Sequence, residues 1–441
     1  MLASSMITSP APPRPVQSSR RVSKVTSQLT GTTVGIDPSS TKSNKVARCA
    51  LGRVFPLGIA IIALVACGSP PRADTDAGRD GGFGDIGIVD SGFDANVDAA
   101  NIDAFVPDAA VDAALPFDAG PVTCEAGALD VLFVVDPSVS VAGTVDVIAS
   151  RVPAFLETLF TGVRTAPTDM HVGVITTSLG LNGRTFAGLP PSCSVRPSGD
   201  DAVLQTTSRG VGCPATHAPF LTFRAGDDRT AFAAEIGCAL QIPTLACSIE
   251  QPLEAALKAL TPSTWPTRFA GGTTGQADRA NAGFRRPGAG LTIIIVSEED
   301  DCSNDTPDFF DPAAPYSPIV TRCAVDADRL FPVMRYVDGF LALAPPSRLS
   351  VSAVAGFASL LGPTDYARIR ADSWFSLEIV DNQVRQVCIH DFPAGAAPAF
   401  RLLDVVEGID AAGVVGYAVS ICSASLGDSA VAPLGTWSCP R

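Results

Sequence analysis

Histidine, lysine and closely spaced cysteine pairs are what this chain has least of, and each scarcity removes a class of chemistry. Three histidines, His171, His217 and His390, occur in 441 residues. None stands in an H-E-x-x-H frame, which excludes a helix-borne zinc protease site. No G-x-S-x-G elbow and no Walker loop is present, so the nucleophile turn of an α/β hydrolase and the phosphate cradle of an NTPase are both missing. Past residue 45 lysine is reduced to Lys258. With a formal net charge of -14, the chain lacks the clustered cations that a nucleic-acid partner requires. No two cysteines form C-x-x-C, which argues against zinc-ribbon and thioredoxin sites.

What is present begins with a sharp charge asymmetry. Residues 1–66 hold eight of the 31 basic residues against one acid, Asp37, leaving 23 basic and 44 acidic side chains beyond them. Arg48 and Arg53 precede the apolar run 54–66 (VFPLGIAIIALVA). A bilayer-spanning helix needs about 20 residues, so this run has the length of a signal-peptide h-region. It closes on Leu64-Val65-Ala66-Cys67, a lipobox, which makes Cys67 the expected carrier of a diacylglycerol anchor. A buried core helix is the alternative, but the low-complexity sequence that follows offers it nothing to pack on. Gly68, in place of Asp, resembles outer-membrane sorting in Gram-negative bacteria. The expected location is therefore the outer membrane, cell surface or periplasm, with the lipid as anchor. Residues 46–66 read as the signal segment, and the Ser-, Thr- and Pro-rich stretch 1–45 as a disordered extension that does not belong to it.

Residues 67–122 are acidic and low in complexity. Asp90, Asp94, Asp98, Asp103, Asp108, Asp112 and Asp118 recur among Ala, Gly and single apolar residues. Such a segment repels itself and cannot bury enough surface to fold, so it reads as a tether. A calcium-binding repeat is the sharper alternative, but its Gly-rich nonapeptide frame is lacking.

The domain is expected over 123–441. It holds Cys124, Cys193, Cys213, Cys238, Cys247, Cys302, Cys323, Cys388, Cys422 and Cys439. An even set with no metal spacing, in an exported chain, reads as disulfides. Cys193 and Cys213 are the expected local staple of an irregular insertion spanning 178–225. Strands are expected at 129–135, 170–176, 291–297, 349–354 and 416–422, with a strand or hairpin at 375–389 around Asp381-Asn382. Helices are expected at 141–160, 227–240, 250–260, 326–344 and 399–411. The 250–260 helix is amphipathic through Leu253, Ala256, Leu257 and Leu260. Strands alternating with helices imply an α/β fold, a doubly wound and mostly parallel sheet whose ligands sit at the C-terminal strand edge.

The first strand ends in Asp136-Pro137-Ser138-Val139-Ser140, a D-x-S-x-S followed by a helix. Together with Cys247-Ser248-Ile249-Glu250-Gln251-Pro252-Leu253-Glu254-Ala255, Asn281-Ala282-Gly283-Phe284-Arg285-Arg286, Ile294 to Ser303 (IIVSEEDDCS) and Ser420-Ile421-Cys422, this resembles a von Willebrand factor A domain. The likeness is to a secreted subgroup abundant in myxobacteria and related delta-proteobacteria, and covers roughly 124–425 in layout. It implies a Rossmann-like fold and a divalent-cation adhesion site for Mg²⁺ or Mn²⁺, which favour oxygen ligands in octahedral geometry. By motif, Asp136, Ser138 and Ser140 match the first loop of that site. Glu298 stands where the family has Asp, one methylene longer. The family's Thr has no counterpart here, and Ser248 or Glu250 is offered instead. Val139 and Val141 replace Gly and Met, and Pro137 stiffens the loop. The alternative for Ser138 and Ser140 is capping of the following helix.

Two further motifs compete with this one. The run Glu298-Glu299-Asp300-Asp301 reads alternatively as a catalytic carboxylate pair, but consecutive residues at a strand end point to different sides. Residues 301–311 hold some EF-hand oxygens, with Thr306 at the required Gly and Pro312 at the closing Glu. The function implied is a non-enzymatic interaction or adhesion module, membrane-anchored, for a protein or surface-polymer ligand. Its competitors are a structural envelope lipoprotein with a metal-free site and a carboxylate hydrolase.

Overall fold

The structure is a computed structural model, and it describes residues 127–162, 166–244, 247, 249–357, 364–389 and 395–422. The extension, signal segment, Cys67 and tether lie outside the described residues, as do Ser248, His390, Cys124 and Cys439. Strand β1, Ala128–Val135, is buried along all eight positions. An apolar run without polar alternation suits a strand covered on both faces. It lies parallel between β2 (Asp169–Thr176) and β4 (Gly290–Val296), with Leu132 opposite Gly173 on one side and Ile293 on the other. Adding β3 (Phe220–Arg224), β5 (Leu349–Ala355) and β6 (Val415–Ser420) gives one six-stranded sheet, ordered β6-β5-β4-β1-β2-β3. Only β3 is antiparallel to its neighbour.

The two-residue period of a strand sends alternate side chains to opposite faces, and each face has its own core. Leu132, Val134, Ile293, Ile295 and Val351 pack under α3 (Pro252–Leu260), α4 (Met334–Leu341) and α5 (Phe400–Ala411). Val131, Phe133, Val135, Ile294 and Val296 pack under α1 (Ala142–Gly162) and α2 (Arg229–Leu240). The strand order reverses direction between β1 and β4. In open α/β sheets the crevice outside the carboxyl ends at such a reversal is where ligands bind.

Several expectations need correction. The 178–225 stretch is not irregular throughout: it contains a short helix, Pro191–Val195, and ends in β3. Only Leu221 and Phe223 of β3 are buried, so its alternation is that of an edge strand with one wet face. The helix expected over 326–344 is shorter. A 3₁₀ turn at Ala327–Arg329 precedes α4, and Pro332 between them lacks the N–H a continuous helix needs. Helix α3 buries its outer side as well as its apolar stripe. Glu254 there is paired with Arg335 at 3.0 Å, and Lys258 with Asp201 at 2.5 Å. The hairpin is Ile379–Val380 with Gln383–Val384, turned by Asp381 and Asn382 at positive φ.

The Cys193–Cys213 staple is also wrong. Cys193 pairs with Cys247, Cys213 with Cys238 and Cys302 with Cys323, at Cα separations of 4.5, 5.5 and 5.1 Å. Cys422 is disulfide-bonded as well, and of Cys388 only the backbone is described. Cys193, Cys247 and Cys302 line a third small core with Leu181, Ile249, Phe309, Phe310 and Leu330. That cluster is too small to hold long loops by burial alone, and two of the bridges run through it.

Candidate functional site

Three strand ends build the site, each continuing the sheet by one more ladder bond. Asp136, after β1, donates its N–H to the Val296 carbonyl at 2.9 Å. Thr177, after β2, donates to Val135 at 3.1 Å, and Ser297, after β4, donates to Val354 at 3.1 Å. The loop after β1 turns at once, because Asp136 Oδ1 accepts the Ser138 N–H at 2.8 Å, the usual aspartate turn. Asp136 Oδ2 accepts the Ser297 hydroxyl at 3.2 Å. Ser140 Oγ lies 3.2 Å from Ser138 Oγ and also meets the Glu298 carboxylate at Oε1. The expected set Asp136, Ser138, Ser140 and Glu298 is therefore brought together. Val139, between the two serines, is 74% exposed.

Glu250 reaches the same place from the loop before α3. It is 1% exposed, Oε2 accepts the Thr177 hydroxyl, and Oε1 has no hydrogen-bond partner. The chain fixes it on both sides: Gln251 donates its N–H to the Thr177 carbonyl at 3.0 Å, and Cys302 donates to the Glu250 carbonyl at 2.9 Å. The backbone of Glu298 is held by the Ala397 N–H at 2.9 Å. That approach requires Gly356 at the end of β5, where an added Cβ would overlap the Ala397 carbonyl.

The three carboxylates work against one another. Burial pushes Asp136 above the usual carboxylate range, against the hydrogen bonds from Ser138 and Ser297. Burial pushes Glu250 well up, and the charges of Asp136, Glu299 and Glu298 add to it while Thr177 offsets. Burial raises Glu298 to about 7, offset by Ser140 and reinforced by Asp136. Among the described residues no Arg, Lys or His forms an ion pair with any of the three, and no positive charge offsets their shifts. Carboxylates gathered without a cation must keep protons or acquire a cation. Asp and Glu oxygens with Ser and Thr hydroxyls form a hard donor set of the kind Mg²⁺ and Mn²⁺ take, and the orphaned Oε1 of Glu250 fits it. Among the described residues no group of three or more His, Cys, Asp or Glu is placed to hold a metal by itself, so hydroxyls would have to complete any such shell.

Glu299 keeps exposed surface on the residue as a whole, but burial of its carboxyl and the charges of Asp136 and Glu298 raise it to about 8, so it adds to the same crowding. The last two acids of the run are structural. Asp300 accepts the N–H groups of Arg401 and Leu402, at 2.9 and 3.2 Å, and so caps α5 from outside the helix. Asp301 accepts the Leu253 N–H at 3.0 Å at the start of α3, and takes Nε and Nη2 of Arg401 at 3.1 Å each. Both carboxylates are thus engaged in holding helices. His171 sets its Nδ1 2.8 Å from the Phe284 carbonyl, and His217 its Nδ1 2.8 Å from that of Ala218.

Thr177 and Ser297 were not among the expected site residues. A faint signal existed: Thr176-Thr177-Ser178 closes β2 and Ser297 closes β4, both hydroxyl-bearing strand ends beside an acid. The chain matches no protein-family model, no curated protein and no solved structure.

Proposed function

We propose that this domain is a von Willebrand factor A-like interaction module that captures a protein or surface polymer through a divalent cation, Mg²⁺ or Mn²⁺. Asp136, Ser138, Ser140 and Glu298 hold the cation, and Glu250 with Thr177 backs it from the second loop. The observation that carries this reading is the convergence of Asp136, Ser140 and Glu298 at the reversal of strand order, with no positive side chain among them. The mostly parallel sheet, with strand order 3-2-1-4-5-6 read from β3 and an antiparallel edge, supports the expected α/β architecture. Exposed Val139 at the rim supplies an apolar contact beside the charged one. The lipobox at Cys67 and the acidic stretch after it complete the reading: a diacylglycerol anchor in the outer membrane and a tether that gives the module reach.

A second reading is favoured by one specific feature. The hydroxyls and carboxylates satisfy one another, with Ser140 against Glu298 and Thr177 against Glu250, as a cation-free structural envelope protein would require. Adhesion of cells or coated beads to isolated envelope separates the two. Capture that needs Mg²⁺ and is lost in Asp136→Asn supports the module, and capture indifferent to both leaves the structural reading.

A further inference from the structure

The opposite edge of the sheet carries a second arrangement, built from the Arg285-Arg286 pair and Arg348. A cavity of about 450 Å³ opens there, beneath the starts of β1, β4 and β5 and beside the end of α4. Asp130, near the start of β1, and Asp136, just past its end, are six residues apart, so the two sites lie about 20 Å from each other.

Asp130, the acid in the cavity wall, is fully engaged. It accepts the Arg286 N–H at 2.6 Å and Nε at 2.8 Å, and Arg286 also reaches Asp169 at 2.6 Å. Arg285 donates to the Leu343 carbonyl. Arg348 is different: it is 7% exposed, lines the cavity, and its Nη1 has no hydrogen-bond partner. An unpaired buried guanidinium donor is costly, and Asp130 is already committed to Arg286. The remaining wall is apolar, from Leu291, Leu341 and Leu343. The volume falls within the range of small-molecule sites. A bare oxyanion would leave the apolar part of the wall without a contact, and a neutral apolar molecule would leave Arg348 unpaired.

We infer that this cavity is a binding site for a small organic carboxylate, whose carboxyl group pairs with Arg348 and whose apolar body lies against Leu291, Leu341 and Leu343. The site is independent of the cation cluster and stands whether or not that cluster binds metal.

The test is a ligand titration of the folded protein, followed by melting temperature and by NMR, with benzoate and hexanoate as probes. Methyl benzoate and inorganic phosphate are the controls. Expected are saturable stabilisation by at least one carboxylate and none by the ester. Arg348→Met, which keeps the stem, should weaken binding at least ten-fold. Ala344→Trp, which fills the cavity without replacing an arginine, should abolish it, and Asp136→Asn should leave it unchanged. The inference is overturned if neither carboxylate binds, if the ester binds as well as the acid, or if phosphate alone stabilises. Wild-type affinity in Ala344→Trp overturns it even where Arg348→Met fails to fold.

Discussion

Ser140 and Glu298, 158 positions apart, meet through hydroxyl and carboxylate at the C-terminal edge of the sheet. The contact joins the loop after β1 to the end of β4 and places a carboxylate raised to about 7 beside the buried Asp136. Most of the site's measurable behaviour follows from that crowding of acids.

Cation-free protein is expected to lose stability as pH rises through neutrality. Glu298 titrates at about 7 in the fold and near 4.5 when unfolded, so the folded state binds the extra proton between those values. Its contribution is complete below about pH 4.5 and is lost as pH passes about 7. Buried Asp136 and Glu250 are raised too and act in the same direction. Melting in EDTA should therefore be lower at about pH 8 than at about pH 5.5. Mg²⁺ needs the ionised carboxylates, so its stabilising effect should be larger at the higher pH. A cation-free melting temperature that climbs over this interval contradicts the crowding.

Replacing Glu298 by Gln keeps a partner for Ser140 and removes the charge. The pH slope above should shrink, stability in EDTA at about pH 8 should hold or rise, and the response to Mg²⁺ should fall at least ten-fold. Denaturation at two pH values with and without Mg²⁺ reads all three. Retention of the full Mg²⁺ response would remove Glu298 from the cation site.

Arg401→Met should destabilise the domain by about 3–5 kcal/mol, because it leaves Asp301 buried without its guanidinium. Asp300→Ala removes the cap on α5 and should cost about 1 kcal/mol. Urea unfolding measures both. A loss in Arg401→Met no larger than in Asp300→Ala would mean that the buried pair is not holding α3 and α5 together.

Peptide mapping of unreduced protein should recover Cys193 linked to Cys247, Cys213 to Cys238 and Cys302 to Cys323. The Cys193–Cys247 bridge closes a 54-residue separation, and its removal as a double Ser variant should cost about 4 kcal/mol on the loop-entropy model. Recovery of a Cys193–Cys213 peptide would overturn the pairing.

The sheet's centre was legible because LDVLFVV and LTIIIVS are short, nearly continuous apolar and β-branched runs, as a strand buried on both faces requires. The first loop was legible because Asp136, Ser138 and Ser140 are local in sequence. Contacts set by topology were not. Thr177 and Ser297 became site residues only when β2 and β4 flanked β1, and Asp300 and Asp301 became helix caps only when α5 and α3 began beside them. The edge strand β3 was hidden in a long polar stretch, since its alternation covers five residues. Disulfide pairing escaped for the same reason: spacing favoured the 193–213 neighbours, while the fold brings 247 to 193. The arginine-lined cavity had a trace in Arg285-Arg286, but Arg348 joins it from the start of β5.

Direct binding of Mn²⁺ to EDTA-stripped protein at about pH 7.5 tests the cation site most plainly, with free Mn²⁺ counted by electron paramagnetic resonance. One saturable site per chain is expected, competed by Mg²⁺, weakened at least ten-fold in Glu298→Gln and absent in Asp136→Asn. No saturable site, or one that survives Asp136→Asn unchanged, contradicts the assignment of Asp136, Ser138, Ser140 and Glu298 as its ligands.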